Sequence, residues 1–161
     1  MTDTTQHPHA TLGDETFMSA EELRDYMHQV EAAKLSKELA AMDSADKARH
    51  ELIEKLSQPL EITPELLHKI AENIRTKVRL AAERGETEIM VMRFPNLLCS
   101  DKGRAINNAE EGWPDTLTGR PRQAYEIWRD HLRGADYKLK ALIVDWPNGM
   151  PGDIGLFLSW A

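Results

Sequence analysis

One stretch of the chain gathers most of the residues that could do chemistry. It reads Arg93-Phe-Pro-Asn-Leu-Leu-Cys-Ser-Asp-Lys-Gly-Arg-Ala-Ile-Asn-Asn108. It follows a strand-like run and leads toward a helical one. Free backbone N–H groups and the positive end of a helix dipole meet at such a junction, and anions bind there. Ser100 could cap the helix, and Gly103 would let a ligand approach the backbone. Lys102, Arg104 and Arg93 would add positive charge. Arg93, Ser100, Lys102, Gly103 and Arg104 are thus candidate contacts for a small anion or a nucleotide. The spacing matches neither the Walker loop nor the dinucleotide fingerprint. A capped helix with solvated charges explains the same residues without a ligand.

Cys99 lies in this stretch, near a possible helix start, where a thiol's pKa can fall. His131, beside Asp130, is its available base in a Cys–His arrangement. No local signature of a cysteine protease accompanies the pair, and a lone cysteine among leucines is more often a buried, inert side chain. Cys99 and His131 are therefore weak candidates, and the sequence offers no convincing catalytic set. His7-Pro-His9 could hold a metal only weakly, and His50 has no second histidine four residues on. With no cysteine pair either, neither a metal nor a cofactor is expected.

Two further features suit binding rather than turnover. Trp113 and Trp146 each precede a proline in a turn. Indoles on loops can anchor a partner, or fold back over a small core. Arg75, Lys77, Arg79 and Arg84 share one helix, with Arg120 and Arg122 further on. Glu72 and Glu83 share that helix too, which favours solvated charges over a nucleic-acid footprint.

The elements that must position these residues emerge from periodicity. The chain has 161 residues, 41% of them apolar, and a formal charge of -7. Residues 1–62 hold 13 acidic and 6 basic side chains, whereas residues 63–161 hold 14 of each and all four tryptophans. The division expected is a disordered tail over 1–18, an acidic helical extension over 19–58 and an α+β domain over 59–161. A proline after Gln58 marks the boundary. Ser19 and Glu22 form a capping-box pattern. Beyond it, Leu23, Met27 and Val30 make one apolar stripe. Leu35, Leu39 and Met42 make a second, rotated from the first. Asp43-Ser44 offers a break, so the extension is one long helix or a hairpin. Both stripes are narrow and need a partner surface.

In the second part Thr63 caps a helix that opens on Pro64. Leu67, Ile70, Ile74, Val78 and Ala81 fall on one face, and Gly85 is its stop. Residues 86–94 read as a strand, apolar on both faces and so interior to a sheet. A short helix is expected from about Asp101 to Glu110, and another from Pro121 to a stop at Gly134. Residues 137–144 and 154–160 read as a hairpin of two strands. The first and second strands, joined by a long helical crossover, should run parallel. The fold class expected is α+β: a two-layer domain with a small, about three-stranded sheet covered by helices.

Three pieces carry a resemblance. They are Ala81-Ala82-Glu83-Arg84-Gly85-Glu86-Thr87, then Leu132-Arg133-Gly134-Ala135-Asp136-Tyr137, and Leu158-Ser159-Trp160. In this pattern residues 64–161 resemble small bacterial and phage proteins of uncharacterised activity. The chain departs from the pattern in the long insert from Pro95 to Gly119. The resemblance implies a fold pattern and no activity.

One cysteine excludes an internal disulfide framework. The longest apolar run falls short of the ~20 residues of a membrane span, and no secretion-type segment opens the chain. The expectation is a soluble cytoplasmic protein without membrane or nucleic-acid partners. Its leading function is non-catalytic interaction with a protein partner or with another copy of itself. Leu35, Leu39, Met42, Trp113 and Trp146 would make the contacts. The alternatives are the anion or nucleotide module at 93–104 and a small Cys99-dependent enzyme.

Overall fold

The structure is a computed structural model that describes residues 10–12 and 15–161. His7 and His9 of the expected tail lie outside the described residues. Two compact units divide the chain, one ending at Ala48 and the other starting at Arg49.

In the first unit β1 (Ala10–Leu12) pairs antiparallel with β2 (Glu15–Phe17), inside the stretch expected to be a tail. The capping box forms: the Glu22 amide donates to Ser19 Oγ at 3.1 Å and the Ser19 amide to Glu22 Oε2 at 3.2 Å. From there α1 runs unbroken from Ala20 to Ser57. Asp43-Ser44 does not interrupt it, so the hairpin alternative falls. No Gly or Pro stands between residues 20 and 57. A cap-prone Asp-Ser pair costs only a few tenths of a kcal/mol inside a run of good helix formers. The helix is ~57 Å long at 1.5 Å per residue, and none of its residues is buried.

The second unit holds the last turns of α1 and everything after them. The Thr63 hydroxyl accepts the Leu66 amide at 3.1 Å, and α2 runs Pro64–Glu83. Gly85 adopts φ +78°, while the Glu86 and Gly85 amides close back on the Ala81 and Ala82 carbonyls. That is a Schellman stop, which a residue with a Cβ enters only at a cost.

The strands are β3 (Glu88–Phe94), β4 (Lys138–Ile143) and β5 (Ile154–Ser159). The sheet order is β3-β5-β4, with both pairings antiparallel. The first and second strands therefore run parallel but are not neighbours; β5 lies between them. β3 is an edge strand, against the expectation that its two apolar faces would place it inside. Its pairing slips between Met90 and Met92, a bulge at Val91. The bulge turns both Val91 and Met92 toward the core, so the two apolar faces read from strict alternation collapse into one. The continuously apolar strand is β5, which buries Ile154, Gly155, Leu156 and Leu158. On the outer face Lys140 Nζ reaches Glu88 Oε2 at 2.6 Å and lies over the Phe157 ring.

The core is built from Phe94, Leu98, Cys99, Ile106, Leu117, Ile154 and Leu156, with Ile53 and Leu56 of α1 packed against it. α3 is confined to Arg104–Asn107, shorter than expected, because Lys102 and Gly103 just ahead of it are left-handed. α4 (Gly119–Ile127) passes into a π turn over Trp128–Leu132 and a 3-10 turn over Arg133–Ala135. Its stop is Asp136 at φ +67°, not Gly134. Helices over a three-stranded sheet make this an α+β fold.

Candidate functional site

A concave surface of the second unit lies beside α2. Leu67, Ile70, Ile74 and Val78 form its apolar face, yet none of them is fully buried. Facing them are Ile127 at the end of α4, Leu132 and His131 on the π turn, and Tyr137. Together they line a trough of about 600 Å3. A second hollow of about 310 Å3, lined by Ile70, Ile74, Val91, Leu156 and Leu158 among others, lies on the sheet side of α2. So the helix with the clearest amphipathic pattern covers its apolar face only in part.

The π turn matters to this geometry. One extra residue in a turn rotates the downstream residues by about 100° about the helix axis. Trp128 fixes the turn, with its Nε1 donating to the Tyr137 carbonyl at 2.9 Å. The result is an aliphatic wall facing α2, with His131 at its edge. Two arginines and two histidines supply the rim: Arg75, Arg79, His68 and His131. His68 Nε2 lies 3.1 Å from Glu72 Oε1. The Arg75 and Arg79 side chains have no hydrogen-bond or ion-pair partner among the described residues. No carboxylate or thiol side chain lines the trough, and its hydroxyl is the Tyr137 phenol. Chemically it suits an apolar surface edged with negative charge.

The stretch over 93–104 is arranged differently. Arg93 Nε donates to Asp153 Oδ2 at 3.1 Å, and its Nη2 lies 3.5 Å from Asp145 Oδ2. Arg49 joins the same cluster through Asp153 Oδ1 and Asn96 Oδ1, each at 3.3 Å. The Asp101 carboxylate accepts the Gly103 amide at 2.9 Å and the Ala105 amide at 2.8 Å. Two amides that an incoming anion would use therefore already bond a carboxylate of the chain itself. Ser100 makes no side-chain cap at α3; its amide donates to the Thr116 carbonyl at 2.8 Å. Lys102 and Arg104 are exposed. Gly103 is buried at φ +88°, and a Cβ there would come 3.1 Å from Ile154 Cδ1. Its glycine is explained by close packing and a left-handed backbone.

Cys99 is 2% exposed and belongs to the core. Burial pushes its thiol up to about 11; a hydrogen bond with Thr116 opposes that shift and the nearby Asp101 charge adds to it. A nucleophilic cysteine needs the opposite displacement. His131 lies on the exposed edge of the trough, and no hydrogen bond joins the two. Arg129 pairs with Asp130 at 3.0 Å and holds that carboxyl below its ordinary value.

The two loop tryptophans differ. Trp113 meets Tyr125 edge-on at 6.1 Å and packs on the core, whereas Trp146 remains 51% exposed. On α1, Leu35 and Leu39 are each 56% exposed and Met42 64%. The sequence reading missed Asp145 and Asp153 as partners of Arg93, missed Arg49 as a second cation on Asp153, and missed the trough. Asp101, two residues ahead of Gly103, did carry a local signal, since Asp readily bonds amides just beyond it.

Among the described residues no group of three or more His, Cys, Asp or Glu side chains could hold a metal ion. Nor is any described helix long and apolar enough to cross a membrane. No protein-family model, curated protein or solved structure matches the chain.

Proposed function

We propose that this is a non-catalytic interaction protein that associates through the apolar face of α1. The observation that carries the reading is a 38-residue helix with no buried residue, bearing Leu23, Met27, Val30, Leu35, Leu39 and Met42 in the open. Burying an aliphatic side chain of this kind contributes roughly 1.5–3 kcal/mol relative to exposure. An isolated helix of low amphipathicity gains little of that alone. The raised thiol pKa of Cys99 and the aliphatic lining of the trough support binding over turnover.

The test compares the wild-type chain with Leu35→Asp/Leu39→Asp by sedimentation velocity and far-UV circular dichroism. The wild type should self-associate, and the variant should be monomeric and less helical while its tryptophan-monitored unfolding is retained. A wild-type chain that is monomeric and fully helical at high micromolar concentration would refute the reading.

A further inference from the structure

The trough beside α2 is an apolar seat, and α1 carries an apolar face that nothing covers among the described residues. We propose that the trough of one copy receives the Leu35–Leu39–Met42 face of α1 from a second copy. This rests on the interaction role of α1 and names its partner surface.

The fit is argued from spacing, charge and lining. Leu35, Leu39 and Met42 stand at i, i+4 and i+7, the anchor spacing of helices that lie in grooves. They span ~10 Å of helix axis, while Leu67 to Val78 on the wall of the trough spans ~16 Å. On the helical wheel Glu31 and Glu38 fall within about 60° of Leu35, at 100° per residue. The face that would enter is thus edged with carboxylates. The rim it would meet carries Arg75 and Arg79, neither of which has a partner among the described residues. Apart from Tyr137 its polar groups stand at the rim, and the aliphatic lining between them offers a polar ligand no hydrogen-bond partner. A helix needs none, because its backbone is satisfied internally. Reciprocal insertion by two copies gives an isologous pair with both troughs filled.

The experiment measures self-association of the full chain by sedimentation equilibrium. Arg75→Glu/Arg79→Glu alters only exposed rim charges and should weaken association by about tenfold, since attraction becomes repulsion at two sites. Adding Glu31→Arg/Glu38→Arg to it should restore association. Ile74→Asp, inside the trough, should abolish it; should that variant unfold, the rim pair still decides. A further arm mixes Leu35→Asp/Leu39→Asp, which has an intact trough, with Ile74→Asp, which has an intact helix face. The first variant's trough can receive the second variant's helix, so the mixture should form a heterodimer that neither forms as a homodimer. If Leu35→Asp/Leu39→Asp dissociates the protein while the rim variants leave it unchanged, the trough is overturned and the helix reading stands. A wild type that never associates overturns both. Binding of long-chain carboxylates to a non-associating chain would assign the trough to amphiphiles instead, and likewise overturn the proposal.

Discussion

Gly119 is the position where a single methyl group should do most damage. It sits at the start of α4 at φ +58°, under the end of α1. An alanine Cβ there would overlap the Leu56 carbonyl oxygen and come within 2.8 Å of Ser57 Cα. Both are backbone atoms of a helix, so no rotamer change relieves the contact; α1 must move. Moving it lifts Ile53 and Leu56 from the core and strains the neighbouring bonds. Those are Arg120 Nε to the Gln58 carbonyl at 3.2 Å and the Gln123 amide group to Leu60 at 2.7 and 3.0 Å. The left-handed backbone alone costs a non-glycine residue ~1–2 kcal/mol. Overpacking adds a further ~1–3 kcal/mol. Gly119→Ala should thus lose about 3 kcal/mol in urea unfolding followed by tryptophan fluorescence. Gly112→Ala is the control, because its φ is negative and nothing lies within 4 Å of the added methyl. It should change stability by less than about 0.5 kcal/mol. A loss below about 1 kcal/mol at Gly119 would mean that the α1–α4 seam is not a close contact, and the reasoning fails.

Two more predictions concern the core and its boundary. Native Cys99 should resist a thiol reagent at pH 8 and react at once in denaturant. Because its folded pKa is raised to about 11, the unfolded chain ionises first between pH 9 and 11, and stability falls as pH rises through that window. At pH 10.5 the wild type should lose about 2 kcal/mol more than Cys99→Ala, relative to pH 8; equal losses would place the thiol in water. Residues 49–161 should unfold cooperatively by themselves. Residues 59–161, which lack Ile53, Leu56 and the Arg49–Asp153 pair, should be less stable by ~2–4 kcal/mol. Equal denaturation midpoints for the two would show that the last turns of α1 contribute nothing.

What the sequence revealed was local. The Ser19–Glu22 box, the Thr63-Pro64 start and the Gly85 stop each involve atoms within five residues of one another, and all three form as their residue types require. The hairpin of β4 and β5 was legible for the same reason. Strand order was not, since it depends on β5 pairing with a strand some 65 residues earlier. The Val91 bulge hid the true inner face of β3, because alternation assumes an uninterrupted ladder. Charge partners were equally obscure: Arg93 meets carboxylates 52 and 60 residues away. In the sequence by itself, Arg93 looked available to a ligand. The stripe on α2 was read correctly as apolar, but only the tertiary structure reveals that its cover is incomplete.

That incomplete cover gives the two open surfaces of this chain a common meaning. A folded domain rarely leaves a long aliphatic face half in water unless something else completes it. Here the completing surface need not be foreign, because the chain supplies an apolar helix face edged with the opposite charge. One seat still covers only one stripe. Leu23, Met27 and Val30 begin twelve residues before Leu35, which on an α-helix is about a third of a turn away. A helix held by its Leu35 face therefore keeps the first stripe turned aside and available. Association through the trough would then order α1 and present that stripe on a rigid rod, rather than use up all the apolar surface the helix carries.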